Sequence, residues 1–180
     1  MLKVLILLEE WPVNGDSNKP EIIHPNAEGI LESSLYVTDV ARSAQFYGRI
    51  FGFRVIGDFG ERGCAMQAGT RQVLLLFRKG GSRDMLSPHD GDGELHLAFA
   101  IAAADLTSWE TWLAENGIAV EEKRSWELGG CSLYFRDPDR HLIEVATPGV
   151  WSIALRLRSA MLCSRSGSSW KRAKRRLMCW

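Results

Sequence analysis

The apolar positions change period several times along the chain, and each change marks an element. "ILESSLYV" (30–37) alternates apolar and polar, the pattern of a half-buried strand. "DVARSAQFYGRIFG" (39–52) has helical spacing, and "FRVIGDF" (53–59) returns to strand. "CAMQAG" (64–69) and "RQVLLLF" (71–77) are two short strands separated by Gly69 and Thr70. After a polar loop, "RKGGSRDMLSPHDGDG" (78–93), the order recurs. "ELHLAFAI" (94–101) is a strand. "DLTSWETWLAENG" (105–117) is a helix, with Asp105 as candidate N-cap and Gly117 as stop signal. "IAVEEKRSW" (118–126) is a strand, and "GGCSLYFRD" with "RHLIEVAT" forms a hairpin across the turn at Asp137–Arg140.

The chain therefore carries one unit twice: strand, helix, three strands. The match is one of order rather than identity. A unit of ~50 residues can bury its sheet only against its own helix and its sister copy. Two curled half-sheets of this kind enclose a cleft. The modules span about residues 30–78 and 93–151, within a domain of 30–151. Residues 1–29, with Pro12, Gly15, Pro20, Pro25 and Gly29 and no sustained period, read as a loosely attached arm. Residues 152–180 read as a basic, disordered tail, because a Ser/Gly/Arg-rich composition cannot bury a core.

Strand parity sorts the polar residues. In the first strand Leu31, Ser33, Leu35 and Val37 share one face, and Glu32, Ser34 and Tyr36 the other. In the first strand of the second module, Leu95, Leu97, Phe99 and Ile101 oppose His96, Ala98 and Ala100. In the last strand, Ile143, Val145 and Thr147 oppose Leu142, Glu144 and Ala146. The apolar face of each strand belongs under a helix. The other face holds one metal-capable group among mostly small neighbours, so Glu32, His96 and Glu144 are offered towards one cavity. A carboxylate inside an apolar strand is costly unless something pairs with it, which makes Glu144 the residue most in need of explanation. His141 lies on the opposite parity and reads as a turn residue. His89, in the polar loop, reads as an exposed loop histidine, and His24 belongs to the arm.

Charge adds one point. The net charge is zero, but residues 151–180 hold eight Lys/Arg and no Asp/Glu, so residues 1–150 carry −8. Nothing in this acidic part suggests nucleic-acid binding. No apolar run approaches the ~20 residues that span a bilayer. The N-terminal apolar stretch runs straight into Glu9 and Glu10 and lacks a signal-peptide cleavage site, so the expected location is cytoplasmic, with no membrane partner. The four cysteines (Cys64, Cys131, Cys163, Cys179) show no metal-type spacing and read as free thiols.

The phrases "LYVTDVARSAQFYGRIFGFRV", "HLAFAI" and "YFRDPDRHLIEVATPG" together resemble the vicinal oxygen chelate superfamily of glyoxalases, bleomycin-resistance proteins, fosfomycin-modifying enzymes and extradiol dioxygenases. The resemblance covers about residues 29–151. It implies an α+β fold in which two tandem βαβββ modules form a cupped mixed β-sheet around a cleft, with helices on the outer face. It also implies a divalent metal (Fe, Mn, Ni, Co, Mg or Zn) held by Glu32, His96 and Glu144, and a homodimer. The fourth ligand position of glyoxalase I falls near Leu75, which cannot bind a metal. The remaining set, one His and two carboxylates, suits oxygen-preferring ions rather than a thiol-type zinc site, and differs from the 2-His-1-carboxylate triad of Fe(II) oxygenases. The function so implied is that of a metal-dependent lyase, isomerase or dioxygenase, stabilising an enolate- or alkoxide-like oxygen of a small oxygenated substrate. The alternative is a metal-free small-molecule binding protein of the bleomycin-resistance kind, favoured by Leu75 and the apolar "VLLLF". Tyr36, Leu75, Trp126 and Phe135 are the expected substrate-lining residues. No residue stands out as a general base. Arg140 stands where relatives often have Gly, implying an altered turn.

Overall fold

The computed structural model describes Pro25 and residues 27–152 of the 180-residue chain. The basic tail and most of the N-terminal arm, His24 included, lie outside the described residues, as do Cys163 and Cys179. Module one consists of β1 (Glu32–Val37), α1 (Val40–Phe51), β2 (Arg54–Asp58), β3 (Gly63–Ala68) and β4 (Gln72–Arg78). Module two repeats the order with β5 (His96–Ala100), α2 (Leu106–Glu115), β6 (Glu122–Ser125), β7 (Cys131–Arg136) and β8 (Leu142–Ala146). The sheets run β1-β4-β3-β2 and β5-β8-β7-β6. In each, the first strand pairs parallel with the last, and the other pairings are antiparallel. The repeat expected from the sequence is thus a repeat of topology.

Capping explains where α1 lies. The Asp39 carboxylate accepts a hydrogen bond from the Arg42 amide, and Gly52 ends the helix in the left-handed conformation at φ 70°. α2 departs from expectation. Asp105 occupies the cap position but makes no side-chain cap hydrogen bond, because a 3-10 turn at Ala103–Asp105 leads into the helix and already places it in the helical region.

Parity sends Leu35, Val37, Met66, Leu74, Leu76, Leu133, Ile143 and Val145 to the helix side, where they form one core with Tyr47, Ile50 and Leu113. The core is shared by both modules. The Phe51 ring packs against Phe99 at 4.6 Å and Trp109 at 5.3 Å, and the Trp112 indole donates to the Ile50 carbonyl. Trp109 packs half-buried against the core, whereas Trp112 is 40% exposed.

Phe135 is a correction. It was expected to line the cavity, but it is fully buried on the helix side, pairing with Ile143 and packing against Phe51. Alternation along β7 leaves no choice: Leu133 and Phe135 share the core face, and Ser132, Tyr134 and Arg136 take the other.

The turn between β7 and β8 clamps the two modules together. Asp139, with 2% of its side chain exposed, accepts from the Thr38 amide and hydroxyl, Arg42 and Ser43. Asp137 accepts from the Tyr47 hydroxyl at 2.9 Å. Arg140 adopts φ 67°, so the turn keeps the left-handed position that Gly would occupy without strain. His141 is also a correction: instead of an ordinary turn residue it is wholly buried, hydrogen-bonded to the backbone of Tyr36 in β1 and of Leu95, just before β5.

Candidate metal centre

β5 and β8 are neighbours in parallel register, with Ala98 opposite Glu144 and His96 opposite Leu142. This offset places His96 and Glu144 diagonally on one face. His96 Nε2 lies 3.2 Å from Glu144 Oε2. The His96 side chain is 49% exposed and that of Glu144 only 7%. His96 Nδ1 is 3.1 Å from the Leu142 carbonyl oxygen. A carbonyl can only accept, so this bond puts a proton on Nδ1 and leaves Nε2 facing Glu144, as a lone pair in the neutral ring or as an N–H donor in the imidazolium. In the neutral ring two acceptors face each other. Glu144 Oε1 is buried with no hydrogen-bond partner. A buried carboxylate with one oxygen facing a neutral imidazole nitrogen and the other unpartnered is a pair that a cation can bridge. The spacing fits: two ligand atoms each ~2.1 Å from one ion, at an angle of about 100°, stand about 3.2 Å apart.

The surroundings form a cleft of about 390 Å³, lined by His96, Glu121, Glu122, Arg124, Tyr134, Arg136 and Leu142. Tyr134 lies directly across from Glu144 in the β7–β8 ladder. Burial first, and then the charge of Glu144, raises the Tyr134 phenol above its ordinary pKa. The Arg124 guanidinium lies 5.2 Å from the Trp126 ring centre and 5.8 Å from that of Tyr134. Its hydrogen bond to Glu122 raises its pKa further. Trp126, half-buried, donates its indole N–H to the Ser132 hydroxyl, on the same side as Tyr134. Arg124, Tyr134 and Arg136 went unselected in the sequence, although alternation in "CSLYFR" already separates Tyr134 from the core-facing Leu133 and Phe135.

Module one supplies the matching positions with different chemistry. Glu32 pairs with Val73 and Ser34 with Leu75, as His96 pairs with Leu142 and Ala98 with Glu144. Glu32 is therefore the counterpart of His96, and Leu75 that of Glu144. Leu75 is buried with Ala65 and Phe77 in a small apolar cluster that Tyr36 packs against. Glu32 is exposed. Among the described residues no group of three or more His, Cys, Asp and Glu is placed to hold one ion, so Glu32 does not join His96 and Glu144 within one chain.

His89 differs from the exposed loop residue expected. Its Nδ1 is hydrogen-bonded to the Tyr36 hydroxyl at 2.8 Å, and its ring meets Phe77 edge-on at 4.6 Å. Gly91 lies flat against Tyr36, where a Cβ would fall 2.5 Å from the ring. The loop after β4 is thus strapped across the non-helical face of module one. Cys64 is a buried free thiol, raised in pKa by burial and by Asp58. No helix of the described residues is long and apolar enough to cross a membrane.

Paired βαβββ modules with a His–Glu couple on the cupped face define a class of protein, and comparison with known proteins gives the family. Residues 29–145 match the family model of the Glyoxalase/Bleomycin resistance protein/Dioxygenase superfamily. The chain belongs to that superfamily. It is 48% identical over 121 residues to a metallothiol transferase FosB of Shouchella clausii (strain KSM-K16), covering 66% of this chain and 80% of that one. It is 29% identical over 121 residues to a metallothiol transferase FosB of Staphylococcus epidermidis, covering 67% and 84%. Among solved structures, lactoylglutathione lyase from Agrobacterium tumefaciens superposes with a TM-score of 0.67 at 27% identity, covering 72% of this chain and all of that one.

Proposed function

We propose that the protein is a metal-dependent enzyme that transfers a small thiol to an oxygen-bearing substrate. His96 and Glu144 hold the ion, and Glu32 of a second copy completes the ligand set. The observation that carries the reading is the His96–Glu144 couple, 3.2 Å apart, with the second carboxylate oxygen of Glu144 buried and unpartnered. One nitrogen and two carboxylates suit a hard or borderline divalent ion such as Mn, Fe, Co, Ni or Mg. The thiol-transfer class is taken from the two transferases similar to this chain.

When bound, such an ion supplies a Lewis acid for a substrate oxygen. The chain's own groups do the rest. Tyr134 and Arg124 line the cleft beside the ligands, where the phenol donates to the substrate oxygen and the guanidinium offsets negative charge. Trp126, with Arg124 stacked on it, narrows one side. In the overall step the thiol sulfur bonds to a carbon, that carbon's bond to oxygen breaks, and the thiol proton ends on the freed oxygen. The second reading, metal-free binding of a small molecule, rests on Leu75, which removes the acidic ligand from module one.

Thermal denaturation with and without MnCl2 separates them. An ion bound only by the folded protein stabilises it by about 2.7 kcal/mol at one hundred times Kd. Wild type is expected to shift upward in Tm, whereas His96→Ala and Glu144→Gln remain folded and do not shift. An unshifted wild type, or a shift that survives both substitutions, favours the metal-free reading.

A further inference from the structure

A buried side chain outside the ligand couple ties the ligand strands together. His141 is completely shielded from solvent. Its Nδ1 accepts from the amide of Leu95, the residue before His96, at 3.0 Å. Its Nε2 lies 3.0 Å from the Tyr36 carbonyl oxygen of β1. An amide N–H can only donate and a carbonyl only accept, so the two partners fix the Nε2–H tautomer. The next residue, Leu142, donates its amide to the Leu95 carbonyl at 2.7 Å and accepts from His96 Nδ1. The imidazole of His141, the Leu95 backbone, the His96 ring and the Leu142 backbone thus form one closed circuit. The His141 amide in turn is anchored on Asp137 Oδ1 at 2.8 Å, and Asp137 is held by Tyr47.

We propose that His141 is a positioning residue of the metal centre: by binding β5 and β1 to the start of β8, it orients His96 Nε2 towards Glu144 and fixes module one against module two. The role presupposes the metal-centre reading above. Its logic is that of a ligand histidine whose second nitrogen is held by the backbone, extended one partner outward, because the carbonyl that holds His96 moves with the peptide that follows His141. An apolar side chain of the same bulk leaves the Leu95 amide and the Tyr36 carbonyl unpaired and frees the Leu142 peptide to shift.

The test uses His141→Phe, His141→Gln and, as a control, Asp139→Asn, which loosens the same turn from α1 without touching β5. The first readout is the imidazole 15N spectrum of the metal-free protein. Wild type and His141→Gln are expected to show His96 held as the Nδ1–H tautomer, Gln keeping one donor and one acceptor. In His141→Phe the two His96 nitrogens should average. The second readout is Mn2+ affinity, expected to fall about 10–100-fold in His141→Phe and to recover most of that in His141→Gln. Asp139→Asn should lower Tm while leaving the His96 spectrum and the affinity unchanged. Should His141→Phe not fold, His141→Asn, too short to reach both partners, takes its place with the same expectations. A wild-type His96 spectrum in the Phe or Asn variant overturns the proposal, as does an affinity loss that Asp139→Asn reproduces. If wild type binds no Mn2+, the metal reading fails, and the metal-free spectrum alone decides the positioning role.

Discussion

Glu144 and Leu75 occupy the same place in two copies of one unit, and that difference leaves module one without the buried carboxylate of module two. A carboxylate at the Leu75 position would be stranded among Ala65, Phe77 and Tyr36, while Leu at position 144 would leave His96 without an acidic neighbour. Arg140 poses the opposite case, a residue at odds with its backbone. A left-handed non-Gly residue costs roughly 1–2 kcal/mol, and its compensation is an exposed ion pair with Glu94 worth about 0–1 kcal/mol. Arg140→Gly is therefore expected to raise stability by about 0.5 kcal/mol in urea denaturation, and a loss of more than about 1 kcal/mol would show that the Glu94 pair matters more than the strain. At this scale the sequence was readable wherever alternation was followed strictly. Glu144, His96 and Tyr36 were assigned to the correct face by counting twos. Phe135 follows the same count to the core face, opposite Ile143, and so does not line the cavity expected of it.

At the level of elements, the turn of residues 137–141 does more than close a hairpin. It grips the start of α1 through Asp139 and the body of α1 through Asp137. Burial works against the charge of Asp139, but the Thr38 hydroxyl and amide, Arg42 and Ser43 outweigh it and hold the carboxyl below its ordinary pKa. Arg42 is half exposed, so the ion pair itself counts for little, and the neutral donors matter more. Asp139→Asn is expected to cost about 2–3 kcal/mol at pH 7. A depressed carboxyl contributes stability that is present above the unfolded pKa of about 3.9 and is lost as pH falls through the lower folded value. The gap between wild type and Asp139→Asn should accordingly be constant from pH 7 to 5 and close below about pH 4, as read from urea midpoints. A gap that persists into strong acid would assign the loss to packing instead. Element order and type were legible because period and turn chemistry are local. The long loop after β4 was not, since His89 and Gly91 owe their positions to Tyr36 and Phe77, far away in sequence.

In the molecule as a whole, the shared core of Phe51, Phe99, Trp109 and Phe135 fixes the two modules to each other, and Glu32 stands apart from the His96–Glu144 couple. Periodicity could show which face of its strand each residue takes, but not how far the sheet of Glu32 lies from that of His96 and Glu144. Ile30, Leu31, Val55 and Ile56, from the lead-in to β1 and from β2, are exposed apolar residues on module one. In a two-fold dimer each site would take His96 and Glu144 from one chain and Glu32 from the other. The central claim is this shared metal centre, and complementation measures it most directly. Glu32→Ala and His96→Ala chains carrying different tags are co-expressed, the mixed dimer is purified through both tags, and Mn2+ uptake is counted by equilibrium dialysis. Neither parent should bind the ion tightly, and the mixed dimer, which has one intact site and one doubly defective site, should take up about half the wild-type amount. A mixed dimer as empty as its parents would contradict the account.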